Sequence, residues 1–171
     1  MDHIHYLIIM MDTVQENEKK EIKLVDDLDK QILEEYQKDA TMTYRTLAKI
    51  IGIPASTVFA RIKQMKESGV IKGIIPLINP IALGKTTTAW VKISLQIDTD
   101  CCDFADEIAK NPKVMEVHEI AGEWDILIKV KVENNLMLHD FTKEISHIPG
   151  IKNMYSIIAF KTVKDDPRIA L

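Results

Sequence analysis

Cysteine is almost missing from this chain: the neighbours Cys101 and Cys102 are the only two in 171 residues. A vicinal pair rarely bridges to itself. Two thiols also supply neither a disulfide framework nor a four-ligand zinc site, which fits a reducing, cytoplasmic compartment. Long apolar runs are missing as well. The apolar stretch in HIHYLIIMM, His3 to Met11, falls far short of the roughly 20 residues a membrane helix needs, and no small-residue cleavage site follows it. His3 and His5 alternate there, yet no third ligand stands nearby, so no metal is expected. The segment reads instead as an extra strand pairing with a partner chain, or as residues ahead of a second start at Met10 or Met11. No low-complexity tract is present. His118, His139 and His147 stand apart from any acid, base and nucleophile grouping, so no catalytic residue is named and the chain reads as a non-enzyme.

What the sequence does have is an uneven distribution of charge. The net charge is −4, and 46% hydrophobic with 28% charged residues is ordinary for a soluble globular protein. Residues 24–85, however, carry nine Lys and Arg against seven acids, whereas residues 86–171 carry ten against fourteen. Between residues 45 and 73 stand Arg45, Lys49, Arg61, Lys63, Lys66 and Lys72, with Glu67 as the one acid. A local basic cluster on an acidic body is the charge footprint of a nucleic-acid reading head.

The periodicity of the first half gives three helices and a hairpin. LDKQILEEYQ places Leu28, Ile32, Leu33 and Tyr36 on one face, with Asp26, Asp27 and Asp29 at the electropositive start. TMTYRTLAKIIG gives a short second helix, capped by Thr41 or Thr43, closed by Gly52 and buried through Leu47, Ile50 and Ile51. The third begins at Pro54 and buries Val58, Ile62 and Met65. Two β-rich runs, VIKGII and PLI, follow around Gly73. Together these describe a winged helix-turn-helix whose third helix enters a major groove of double-stranded DNA. Ala55, Ser56, Thr57 and Ala60 are small enough for close approach. Arg61 is the candidate for a bidentate guanine contact, while Arg45, Lys49, Lys63 and Lys72 suit phosphates. The bland alternative is a solvated basic face on an ordinary three-helix domain.

The second half reads β-α-β-β-α-β, a ferredoxin-like arrangement, which makes the whole chain α+β. Strand TAWVKISLQI presents Val91, Ile93, Leu95 and Ile97 to the helices and Trp90 to the other side. CCDFADEIAKN buries Phe104, Ala105 and Ile108, and LMLHDFTKEISHI buries Leu138, Phe141 and Ile145. One sheet face has no cover within the chain, which implies a homodimer partner. Cys101 and Cys102 precede a helix, where the N-terminal dipole would favour a thiolate; a redox switch and a plain surface turn are both open.

These two halves, in this order and joined through LINPIALGK, resemble the Lrp/AsnC family of transcriptional regulators, also called feast/famine regulatory proteins. The likeness rests on LDKQIL, LAKIIGIPASTVFARIKQMKESGVIKG, NPIALG, the GEWD loop with its following strand, and PGIKNMYS, and covers roughly residues 24 to 164. It implies an N-terminal extension over 1–23, a DNA-binding domain over 24–78, a linker over 79–87, a dimerisation and effector domain over 88–164 and a tail over 165–171. It further implies dimers assembled as octamers that wrap or bend DNA, and self-repression. Small effectors, often amino acids, are implied in a cleft between dimers. Carried over, Gly122, Glu123, Trp124 and Asp125 shape that cleft, with Met154 and Ser156 beside it; no other cofactor is implied. An acid there can hold an α-ammonium group, whereas the bland reading is a plain hairpin turn.

Two departures from the family pattern stand out. Pro54 replaces a usual capping Ser, and Ala121 replaces a common Thr before the loop glycine. A related fold also serves as a sirohaem decarboxylase subunit without DNA binding. Retention of the basic third helix argues against that alternative.

Overall fold

The computed structural model describes residues 25–171. The N-terminal extension, with the readings of His3, His5 and an extra strand, lies outside the described residues. The chain divides into two compact units. One runs up to Pro76 and also takes in Pro167–Leu171; the other is Leu77–Asp166.

The first unit holds α1 (Asp27–Lys38), α2 (Tyr44–Ile51) and α3 (Ala55–Glu67). Helix α1 starts on a capping box, in which Asp26 Oδ1 accepts from the Asp29 amide at 2.8 Å and Asp29 reaches back to the Asp26 amide. Thr43 caps α2, and Gly52 ends it with φ +81°, a left-handed conformation that glycine adopts without a Cβ penalty. The buried set is Ile32, Tyr36, Leu47, Ala48, Val58, Ile62 and Met65. Ile50 departs from expectation at 53% exposed: Leu47, Ala48 and Ile51 already form the inward stripe, and Ile50 falls outside it. Pro54 is the N-cap rather than a first-turn residue and supplies no side-chain hydrogen bond.

The expected wing ladder around Gly73 is not formed. Residues 72–79 belong to no strand, and Ile74, Ile75, Leu77 and Ile78 are exposed. Pro76 has no amide to give to a ladder, and it falls where the returning run would pair. At the other end of the chain, both backbone groups of Ile169 bond the Gln37 amide on α1, at 2.9 and 3.1 Å.

The second unit opens with a short 3-10 turn, Ile81–Leu83. It then builds β1 (Thr87–Leu95), α4 (Cys101–Ala109), β2 (Val114–Glu119), β3 (Ile126–Val132), α5 (Asn135–Ile145) and β4 (Ile151–Ile158). The sheet order is β2-β3-β1-β4 with antiparallel neighbours throughout. Strand alternation sends Ala89, Val91, Ile93, Ile126, Ile128, Val130 and Val132 into one core with Phe104, Ile108, Leu138, Phe141 and Ile145. The expectation for Ile97 does not hold, because β1 ends at Leu95, after a register shift, and Ile97 is fully exposed. Trp90 lies on the far face, opposite Lys129. On that face Lys129 pairs with Glu116 at 2.8 Å and with Asp165 at 3.3 Å, and Asp165 also takes Lys131.

Candidate nucleic-acid interface and effector loop

Helix α3 has two sides of different character. Val58, Ile62 and Met65 are buried, while Ser56, Phe59, Ala60, Lys63 and Lys66 are exposed. Spacings of three and four residues put Ser56, Phe59, Ala60 and Lys63 on one face. Lys63 has only a loose 3.8 Å pairing with Glu67. Arg45 and Lys49 are exposed one turn apart on α2, and Lys72 is exposed beyond α3. Ala55 and Thr57 are half-buried, and Ala55 packs on the core.

Arg61 departs from the expectation of a free base reader. Its Nη1 donates to Asp26 Oδ2 at 2.5 Å and to Asp29 Oδ2 at 3.2 Å. At about 100° per residue, Arg61 is displaced from the Ser56 and Lys63 face towards the buried stripe, beside α1. The Asp26 carboxyl is held below its ordinary range, first by the Asp29 amide and then by the Arg61 guanidinium.

The sequence reading missed Phe59. Phe59 is 55% exposed on this face, and its ring meets Tyr44 edge-on at 6.0 Å and 60°. The signal was available: Phe59 lies off the Val58–Ile62–Met65 stripe.

In the second unit the loop Gly122–Asp125 joins β2 to β3. Gly122 has φ +138°, in the region that favours glycine. Asp125 is committed to structure: Oδ2 accepts from the Leu95 amide at 2.7 Å, and its backbone bonds Ile93 and Ile120. Glu123 is exposed. The Trp124 ring stands 6.3 Å from Tyr155, and Lys92 Nζ lies 5.2 Å from the first ring centroid and 5.3 Å from the second. Those distances are within cation–π range. Lys92 and Tyr155 are cross-strand partners on the uncovered face. Met154 and Ser156, paired with Ile93 and Val91, belong to the opposite face, where Met154 packs against the core and Ser156 is exposed. The structure therefore brings Trp124 together with Lys92 and Tyr155, and not with Met154 or Ser156.

Of the two readings of the cysteines, the thiolate is the less favoured. Cys101 and Cys102 form the first turn of α4, but burial pushes the Cys101 thiol up to about 11, with Glu119 and Asp125 adding to the effect. Cys102 is raised in the same way, and its Sγ donates to Glu119 at 3.9 Å. Burial and the nearby carboxylates both favour the protonated thiols. Among the described residues, no group of three or more His, Cys, Asp or Glu side chains is placed to hold a metal, and no helix is long and apolar enough to cross a membrane.

Comparison with known proteins accounts for both units. Residues 25–72 match a family model for a winged helix-turn-helix DNA-binding domain, and residues 86–169 match the Lrp/AsnC ligand binding domain. The HTH-type transcriptional regulator FL11 of Pyrococcus furiosus is 34% identical over 142 residues, 83% of this chain and 93% of that protein. An AsnC family transcriptional regulator from Agrobacterium tumefaciens has a TM-score of 0.80 at 28% identity, covering 85% of this chain and 96% of that one. A feast or famine regulatory protein from M. tuberculosis, complexed with L-methionine, has a TM-score of 0.79 at 25% identity over 85% and 99%.

Proposed function

This chain belongs to the Lrp/AsnC family of DNA-binding transcriptional regulators, and from that membership we propose how it holds DNA and what switches it. The exposed face of α3 enters the major groove, with Ser56 and Ala60 against the duplex and Lys63 at its edge. Ala55 and Thr57 set the approach of the helix start. Arg45, Lys49 and Lys72 neutralise phosphates, which fixes position without reading sequence. Arg61, occupied by two carboxylates, is not assigned a base contact.

The observation that carries this reading is the exposure of Arg45, Lys49, Lys63 and Lys72 on and around α2 and α3, inside the stretch matched to a DNA-binding domain. A gel-shift series across salt on the DNA upstream of its own gene tests it. Affinity should fall steeply with salt, and Lys49→Ala or Lys72→Ala should each reduce the slope by about 0.9. A flat salt dependence would overturn the docking.

The second unit, on this reading, makes homodimers through its uncovered sheet face. Four dimers then form an octamer in the cytoplasm. A small effector, an amino acid or a close analogue, binds beside Gly122–Asp125 and shifts the population of assembly states. The L-methionine complex of the mycobacterial relative supports that class of ligand. A thermal-shift screen of the amino acids tests it: a bound effector raises the midpoint. An unchanged midpoint for every compound at millimolar concentration would leave the loop as a turn.

A further inference from the structure

We infer that Phe59 is a specificity-determining residue that reads the C5-methyl group of thymine in the operator. The inference rests on α3 being the groove helix. Phe59 is 55% exposed, three residues after Ser56 and four before Lys63, on the side of α3 turned away from its own core. The exposed part of the ring gains nothing from the fold, so its chemistry is available to whatever this face meets. The ring is also held in place. Tyr44, itself packed against the core, meets it edge-on at 6.0 Å, so Phe59 is presented outward by a fixed neighbour. Ala60, next to it, adds no bulk that would keep the ring off a base edge.

The surroundings select the occupant. Arg45, Lys49, Lys63 and Lys66 are exposed on the same two helices, a setting for a polyanion rather than for an apolar protein surface. The major groove of a duplex offers hydrogen-bond donors and acceptors at every base edge, and one apolar group, the thymine methyl. A phenyl ring over a guanine or cytosine edge would strip water from polar groups without returning a hydrogen bond. Over thymine it buries a methyl instead. Phe59 therefore biases the protein towards T·A pairs at the steps it covers, and Tyr44 is the positioning residue behind it.

The test uses the full-length protein and an operator obtained by selection from random duplexes. Each thymine is replaced in turn by deoxyuridine, which lacks the methyl and keeps the pairing. At one or two positions per half-site the wild-type protein should lose about three- to fivefold in affinity, the scale of one buried methyl group. Phe59→Ala should bind the thymine and deoxyuridine operators alike. If Ala disturbs the Tyr44 contact enough to impair folding, Phe59→Gln takes its place in the same cycle.

A deoxyuridine penalty of equal size in wild type and variant would assign the methyl to another residue and overturn the inference. So would the lack of any penalty in the wild type, or a variant that changes only self-association. The salt slope separates this from the wider reading. Steep salt dependence without a methyl effect sinks the role of Phe59 alone, whereas a flat slope sinks the docking of α3 itself.

Discussion

Arg61 on α3 and Asp26 at the start of α1 are joined at 2.5 Å, and the same guanidinium reaches Asp29 at 3.2 Å. One cation thus ties α3 to the capping box of α1. Asp26 uses its second oxygen for the Asp29 amide, so the cap and the tether share one carboxylate. The pairing accordingly bears on where α3 sits.

Arg61→Ala should lower the thermal midpoint and weaken all DNA sequences alike, while the salt slope keeps its wild-type value. A lost phosphate contact would reduce that slope, and a lost guanine contact would relax sequence preference at one position. The pH dependence has a definite sign. Asp26 has a depressed folded pKa, so its contribution is present at neutral pH and is lost as pH falls below about 4 through the folded value. Urea midpoints measured from about pH 5 to about pH 2 should fall less steeply in Arg61→Ala than in the wild type.

The thiol pair should be sluggish. Cys101 is pushed up to about 11, mainly by burial. The raised value means the folded state holds its proton longer, so stability is lost as pH rises from about 9 through about 11. In a Cys102→Ser background, the reaction of Cys101 with a disulfide reagent at pH 8 should be much slower than in the urea-unfolded chain. A rate matching the unfolded chain would mean the thiol is neither buried nor raised.

Most of the fold was legible because its signals are local. The i, i+4, i+7 stripe of α3 and the alternation of β3 each pick out buried residues directly, and Gly52 marks the end of α2 through the one conformation it requires. What the sequence did not show depends on position in three dimensions. Arg61 looked like a reader because nothing within its own helix reveals Asp26, 35 residues away. Met154 and Ser156 were grouped with the GEWD loop, yet strand alternation gives Trp124 the company of Tyr155 instead. Ile97 followed the alternation of β1 past the end of the strand, where alternation no longer carries information. Phe59 was visible as an aromatic on the wrong side of a stripe, but the sequence alone does not show that Tyr44 supports it.

Asp125 offers a way to separate structure from sensing. Its Oδ2 accepts the Leu95 amide at 2.7 Å at the end of β1. Asp125→Ala strands that donor and should cost about 1–3 kcal/mol in urea unfolding. Asp125→Asn keeps an oxygen in place and should cost less. Because Asn removes the charge and preserves most of the fold, any thermal shift given by an amino acid to the wild type should shrink in Asp125→Asn if the carboxylate holds the ammonium group. An unchanged shift would confine Asp125 to its structural bond.

Two glycines with similar backbone strain predict different losses. Gly84 has φ +76° with open space where a Cβ would go, so Gly84→Ala should cost only the left-handed penalty, about 1–2 kcal/mol. Gly150 has φ +99°, and a Cβ there would stand 2.5 Å from both Cγ2 and Oγ1 of Thr99. The Gly150 carbonyl also accepts from the Gln96 amide at 2.8 Å, so the backbone is held and the clash is not easily relieved. Gly150→Ala should therefore lose roughly 1–3 kcal/mol more than Gly84→Ala, the range for overpacking. Adding Thr99→Ala to Gly150→Ala removes both clashing atoms and should recover part of that excess, a non-additive result expected only of neighbours. Equal losses at the two glycines in urea unfolding would mean that the loop ending at Thr99 yields freely, and that the packing of this corner contributes nothing to stability.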